Sequence, residues 1–198
     1  MIKNIAKTFA LSALFCAMSM AANAQVAGTG WKAASPSFNV QIQGCGKVSG
    51  LTFQLTCNAP HSAGFQRAER RYANMTASLN QFEGTVKVTS LQGDKINIKQ
   101  VFQDGTGPWM IMTVKKPGIV YETEGGQTLA SIPIGTSFRV NTVTDTKGKK
   151  TDVYINGSKV ETKSSGKTPF YDKFGAYAAL SGYGPVTVVW SNIKFWTK

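Results

Sequence analysis

The feature that most limits what this chain can become is a rhythm. From Gln25 onward it is a succession of short segments of alternating apolar and polar residues, broken by Gly, Pro, Asn and Asp, with no apolar stripe at helical spacing. Successive side chains of a strand point to opposite faces, so segments of this kind bury one side and wet the other. Candidate strands fall at 38–43, 51–57, 68–75, 82–91, 95–103, 110–114, 119–124, 137–144, 152–155, 170–180 and 186–196. Asn156-Gly157, between Val153-Tyr154-Ile155 and Lys159-Val160, has the chemistry of a two-residue type I′ hairpin, whose central residues both take positive φ. Asp145-Thr146-Lys147-Gly148 predicts a further turn. With no internal repeat and no low-complexity linker, the expected fold is all-β: a single-domain antiparallel β-sandwich over residues 25–198.

The first two dozen residues read differently. Lys3 and Lys7 precede an apolar run from Phe9 to Met20, and Ala22-Asn23-Ala24 supplies a small-x-small cleavage site, the pattern of a secretory signal over 1–24. The run is too short to span a bilayer, and Phe15 before Cys16 makes a poor lipobox, so a secreted or periplasmic product without a membrane span is expected. Losing Lys3 and Lys7 takes the formal charge from +12 to +10. Cys45 and Cys57 then remain, in a compartment where disulfides persist; closing the loop between them is worth about 3 kcal/mol in the chain-entropy model. The positive charge favours an anionic partner, and export argues against nucleic acid, which leaves anionic lipid and acidic polysaccharide. The protein is expected to act as a monomer.

Two segments carry candidate chemistry. In 170–180, Phe170, Asp172, Phe174, Ala176, Ala178 and Leu180 share one side, apolar except for Asp172, while Tyr171, Lys173, Gly175, Tyr177 and Ala179 share the other. In 66–72, Arg67, Glu69 and Arg71 fall on one side. A carboxylate between two guanidiniums can hold an arginine fork ready for an incoming carboxylate. The same row also suits an edge strand kept soluble by its charges.

Taken in order, Arg67-Ala68-Glu69-Arg70-Arg71, Lys99-Gln100-Val101-Phe102 and Tyr171-Asp172-Lys173-Phe174-Gly175-Ala176-Tyr177 resemble the three motifs of the family 7 polysaccharide lyases, the alginate lyases, and their relatives. Those motifs run R-[ST]-E-L-R, Q-[IV]-H and Y-F-K-A-G-x-Y-x-Q. The resemblance implies a concanavalin A-like β-jelly roll with a concave binding groove. It implies β-elimination on a uronate polymer such as alginate or glucuronan, without cofactor or metal. By the same resemblance Arg67 and Gln100 hold the uronate carboxylate, and Glu69, Arg71, Lys173 and Tyr171 line the substrate site. Tyr177 is the acid and, where both proton transfers occur on one face, also the base. A tyrosine base needs cationic neighbours that favour phenolate, which the Arg row and Lys173 are expected to supply.

There are departures. Phe102 stands where the family has its histidine, and Ala179 where the third motif ends in Gln; His61, in a Pro-containing loop, is the one histidine available to line the groove. Gln100 shares parity with Ile96 and Ile98, so its place in the groove requires a bulge between Ile98 and Gln100 or an apolar residue facing substrate. The loss of the histidine keeps a rival open, a non-catalytic lectin-like protein on the same fold. Trp109, Tyr171, Tyr177, Tyr183, Trp190 and Trp196 are its candidate sugar platforms. Other chemistries lack residues: Glu122-Thr123-Glu124, beside Gly125-Gly126, reads as a solvated turn, and no G-x-S-x-G elbow is present.

Overall fold

A computed structural model describes residues 28–57, 65–103, 105, 107–123, 125–164, 166–178 and 185–198. The expected leader, His61, Glu124, Ala179 and Tyr183 lie outside them. Among the described residues the alternation becomes fifteen strands and no helix. In chain order these are β1 (Lys32–Ala34), β2 (Phe38–Gln43), β3 (Gly46–Ser49), β4 (Thr52–Leu55), β5 (Gln66–Tyr72), β6 (Leu79–Leu91), β7 (Lys95–Gln103) and β8 (Gly107–Lys115). There follow β9 (Ile119–Glu122), β10 (Thr128–Ser131), β11 (Ser137–Asp145), β12 (Lys150–Ile155), β13 (Ser158–Ser164), β14 (Pro169–Ala178) and β15 (Val186–Thr197). Every predicted strand coincides with one of these, whereas β1, β3 and β10, of three or four residues each, carry no alternation long enough to read.

The strands form two antiparallel sheets packed as a sandwich, the architecture expected. The front sheet runs β10-β9-β8-β7-β14-β5-β2, and the back sheet β13-β12-β11-β6-β15-β4-β3 with β1 added to β15. Asn156 and Gly157 take φ of 51° and 88°, so the β12–β13 hairpin turns as its sequence requires. The Asp145 turn closes with its Oδ1 accepting the Gly148 N–H at 2.7 Å. Cys45 and Cys57 are joined, with Cα atoms 5.6 Å apart, across the β3–β4 hairpin.

The even-numbered side of β14 does face inward. Phe174 sits at the centre of the core, its ring 5.6 Å from Phe53, 5.6 Å from Tyr72, 5.5 Å from Phe82 and 4.9 Å from Trp190. Four aromatic neighbours interlock the sheets there, and truncating such a ring costs about 3–5 kcal/mol. Asp172, the polar exception on that side, is buried and paired with Lys99 of β7, whose side chain is 0% exposed. Lys99 also donates to the Gln100 carbonyl at 3.1 Å and lies 4.8 Å from the Phe82 ring. At the end of the front sheet the inward parity meets no cover: Phe38, Val40 and Ile42 of β2 are 43%, 48% and 57% exposed. Among the described residues no helix is long and apolar enough to cross a membrane.

Candidate active site

The outward face of β5, β14 and β7 is organised by register into rows. Tyr177 has Arg67 as its Cα partner on β5 and Asn97 as its partner on β7. Lys173 is flanked in the same way by Arg71 and Gln100, Gly175 lies against Glu69, and Tyr171 against Phe102. β5 is not an edge strand, because β2 pairs with it along its length, so the Arg-Glu-Arg row is not edge protection.

The bulge that Gln100 requires is present. The β7–β8 register shifts between Asn97 and Lys99, and the β14–β7 register shifts between Phe174 and Tyr177. Ile98 and Lys99 are both buried on the core side, which puts Asn97 and Gln100 together on the outer face. Gly175 makes the tight approach of β14 to β5 workable. Its φ is 148°, and a Cβ there would lie 2.3 Å from the Ala68 carbonyl oxygen.

Glu69, 1% exposed, is the hub of the charges. Its carboxylate takes Lys173 Nζ at 2.9 Å, lies 3.4 Å from Arg67 Nε, and accepts a hydrogen bond from Gln100 Nε2. Burial pushes the Lys173 ammonium below its ordinary pKa; Glu69 pushes it back up, and Arg67 and Arg71 push it further down. Arg71 lies over the Tyr171 ring at 4.0 Å and donates to Asn74 Oδ1 at 2.9 Å. Phe102 stacks on Tyr171 at 4.8 Å with planes 11° apart, and Lys173 sits 5.0 Å from its ring. A stacked hydrocarbon ring thus occupies the second-motif position, with no proton to give or take.

The Tyr177 ring lies 5.2 Å from the Arg67 guanidinium carbon and 5.7 Å from Phe65. Its phenol is pushed above the ordinary value of about 10, chiefly by burial and also by the Glu69 charge, with Arg67 acting in the opposite sense. Arg67 therefore favours phenolate, as expected of the cationic row, but burial outweighs it, and Tyr177 rests protonated.

Further expectations change. Glu122 is not solvated: its buried carboxylate takes Lys163 Nζ at 2.7 Å, the Ile111 N–H at 3.2 Å and the Gly125 N–H. Trp109 and Trp190 are buried, and Trp196 belongs to the back sheet, so none of them is a platform beside Tyr177. Asn97 is the site residue that sequence reasoning missed. It is 8% exposed, and its Oδ1 accepts from Thr113 Oγ1, which in turn shares a hydrogen bond with Thr123 Oγ1. Its signal was the bulge itself, which reverses facing between Asn97 and Gln100.

A cavity of about 370 Å³ opens beside Tyr72, Asn80, Asp172 and Phe195, and no residue of the Tyr177 row lines it. Among the described residues no group of three or more His, Cys, Asp and Glu gathers; the site is built from cations around one carboxylate, amides and a phenol.

A family model described as alginate lyase matches residues 45–195, which contain all three motifs and every strand but β1, β2 and the end of β15. The chain belongs to the alginate lyase family. Solved alginate lyases share the fold. The enzyme from Corynebacterium sp. is 18% identical over 76% of this chain and 79% of its own, with a TM-score of 0.60. That from Alteromonas sp. 272 is 19% identical over 80% and 92%, with a TM-score of 0.59. An alginate lyase in complex with dimannuronate is 11% identical over 73% of each chain, with a TM-score of 0.56. No curated protein sequence matches. Against the motifs of the alginate lyase family, this chain departs at Phe102.

Proposed function

We propose that this polysaccharide lyase cleaves an alginate-like uronate polymer on the outer face of β5, β14 and β7, with Tyr177 moving the proton. The observation that carries the assignment of the site is the direct pairing of Arg67 with Tyr177, a carboxylate-binding fork beside a proton carrier. In β-elimination the C5–H bond breaks, its electron pair forms the C4=C5 double bond, the C4–O4 bond breaks, and O4 takes a proton. A donor on the carboxylate lowers the cost of charge at C5. Arg67 provides one such donor, with Arg71 and Lys173 adding positive field and Tyr171 a ring beside them. Tyr177, as phenolate, takes the C5 proton and returns it to O4, which fits both transfers on one sugar face. We also propose export: Lys3, Lys7 and Ala22-Asn23-Ala24 support a cleaved leader, and the Cys45–Cys57 bond suits an oxidising compartment.

The test is the ultraviolet absorbance of the unsaturated uronate, followed on alginate, polyglucuronate, pectate and glycosaminoglycans. Turnover that Tyr177→Phe abolishes, with binding kept, is the expected result. Turnover that survives Tyr177→Phe removes Tyr177 from the chemistry. Salt-sensitive binding without turnover on any polymer makes the protein a lectin-like member of the fold.

A further inference from the structure

We infer that Asn97, rather than Gln100, is the second donor to the uronate carboxylate, acting across Tyr177 from Arg67. The inference rests on the lyase reading and concerns the same site.

Position comes first. Directly paired residues on adjacent strands place their Cβ atoms about 4.5–5.5 Å apart. Arg67 and Asn97 hold that relation to Tyr177 from opposite sides. Gln100 pairs with Lys173, four residues back along β14, or about 13 Å of extended chain. A carboxylate within reach of the Tyr177 phenol therefore meets Asn97 before it meets Gln100.

Commitment comes second. Gln100 Nε2 is engaged with Glu69, a buried carboxylate that also holds Lys173. Redirecting that amide to substrate takes a donor from a buried charge, which is costly. Asn97 is committed only through its oxygen. Thr123 donating to Thr113, and Thr113 to Asn97 Oδ1, is a proton order that satisfies all three groups. It turns the amide so that Nδ2 points away from the threonines, and no bond to Nδ2 exists among the described residues. Two N–H donors are thereby presented in the Tyr177 row without a charge that Glu69 would capture. With Phe102 unable to donate, this amide supplies what the second-motif position lacks.

Asn97→Ala is the discriminating variant, because it removes the Nδ2 donors without adding a charge, whereas Asn97→Asp would set a carboxylate against the substrate's own. Asn97→Ala should lower kcat/KM by about 100-fold or more, the range for deleting one donor to developing charge, in a protein that still unfolds cooperatively. Thr113→Val should lower kcat about tenfold, the worth of one hydrogen bond, and Thr113→Ser should restore it, marking Thr113 as a positioning residue. Dimannuronate binding by calorimetry is measured in parallel and should weaken in Asn97→Ala. If Asn97→Ala turns over and binds as the parent does while Gln100→Ala abolishes turnover in a stably folded protein, Gln100 holds the carboxylate and the inference is wrong. A parent without turnover on any uronate polymer sinks the lyase reading instead. The binding arm then still judges Asn97: weaker binding in Asn97→Ala upholds it, and unchanged binding overturns it.

Discussion

The buried pair beneath the site makes a quantitative demand. Lys99 is wholly enclosed and Asp172 nearly so, each the other's only ionic partner among the described residues, with Phe82 on one side of the ammonium. Replacing Asp172 by Leu leaves a cation in the core with only the Gln100 carbonyl to satisfy it, and breaking such a pair costs about 3–5 kcal/mol. Replacing both residues, Asp172→Leu with Lys99→Met, removes the charge problem and should restore stability to within about 1 kcal/mol of the parent or above it. The single variant also acquires a pH signature. Burial holds the Lys99 pKa down, and the Asp172 charge and hydrogen bond are what hold it up. Without Asp172 the folded-state pKa drops further below the unfolded value of about 10.4, so the unfolded chain binds more protons in between. Stability of Asp172→Leu should therefore rise with pH through that window, while that of the double variant should not. Urea unfolding followed by the fluorescence of the core Trp190, at several pH values, reads both effects. A single variant costing under about 1 kcal/mol, or a double variant as unstable as the single, would refute the reasoning.

Three further outcomes are expected. Because Tyr177 must be phenolate to take the C5 proton and its pKa lies above the ordinary value, kcat/KM should climb about tenfold per pH unit between pH ~7 and ~9; a profile peaking near neutrality removes Tyr177 as base. Cys45→Ser with Cys57→Ser should lower unfolding free energy by about 3 kcal/mol, and a reducing agent should do the same to the parent alone. Gly175→Ala drives a methyl into the Ala68 carbonyl and the Glu69 backbone, so it should cost about 1–3 kcal/mol and reduce turnover by spreading β14 from β5; an unchanged melting temperature would contradict the tight contact.

Much of this architecture was legible because alternation is a local signal. The inward side of β14 and the outward Arg67-Glu69-Arg71 row follow from parity alone, as does the need for a bulge near Ile98. What parity cannot reach is what lies across a sheet. Glu122 reads as part of a polar turn until Lys163, on a strand far along the chain, closes over it. Tyr177 reads as a base held among cations until its burial, which parity alone does not show, outweighs Arg67. Asn97 stays hidden because a bulge adds one residue without any change in composition; only the pairing with Tyr177 and Thr113 exposes it.

The uncovered apolar row of β2 has a consequence for how copies of the protein meet. No strand lies beyond β2 among the described residues, so its outer backbone edge and the exposed Phe38, Val40 and Ile42 form a template onto which another extended chain can zip. Like charge is what keeps copies apart, with a formal +12 on the full chain. That protection weakens as the screening length shrinks from about 10 Å at 0.1 M salt to about 3 Å at 1 M. The positive field that suits the protein to a polyanion is thus also its guard against fibrillar self-association, and Val40→Lys would supply that guard at the edge itself.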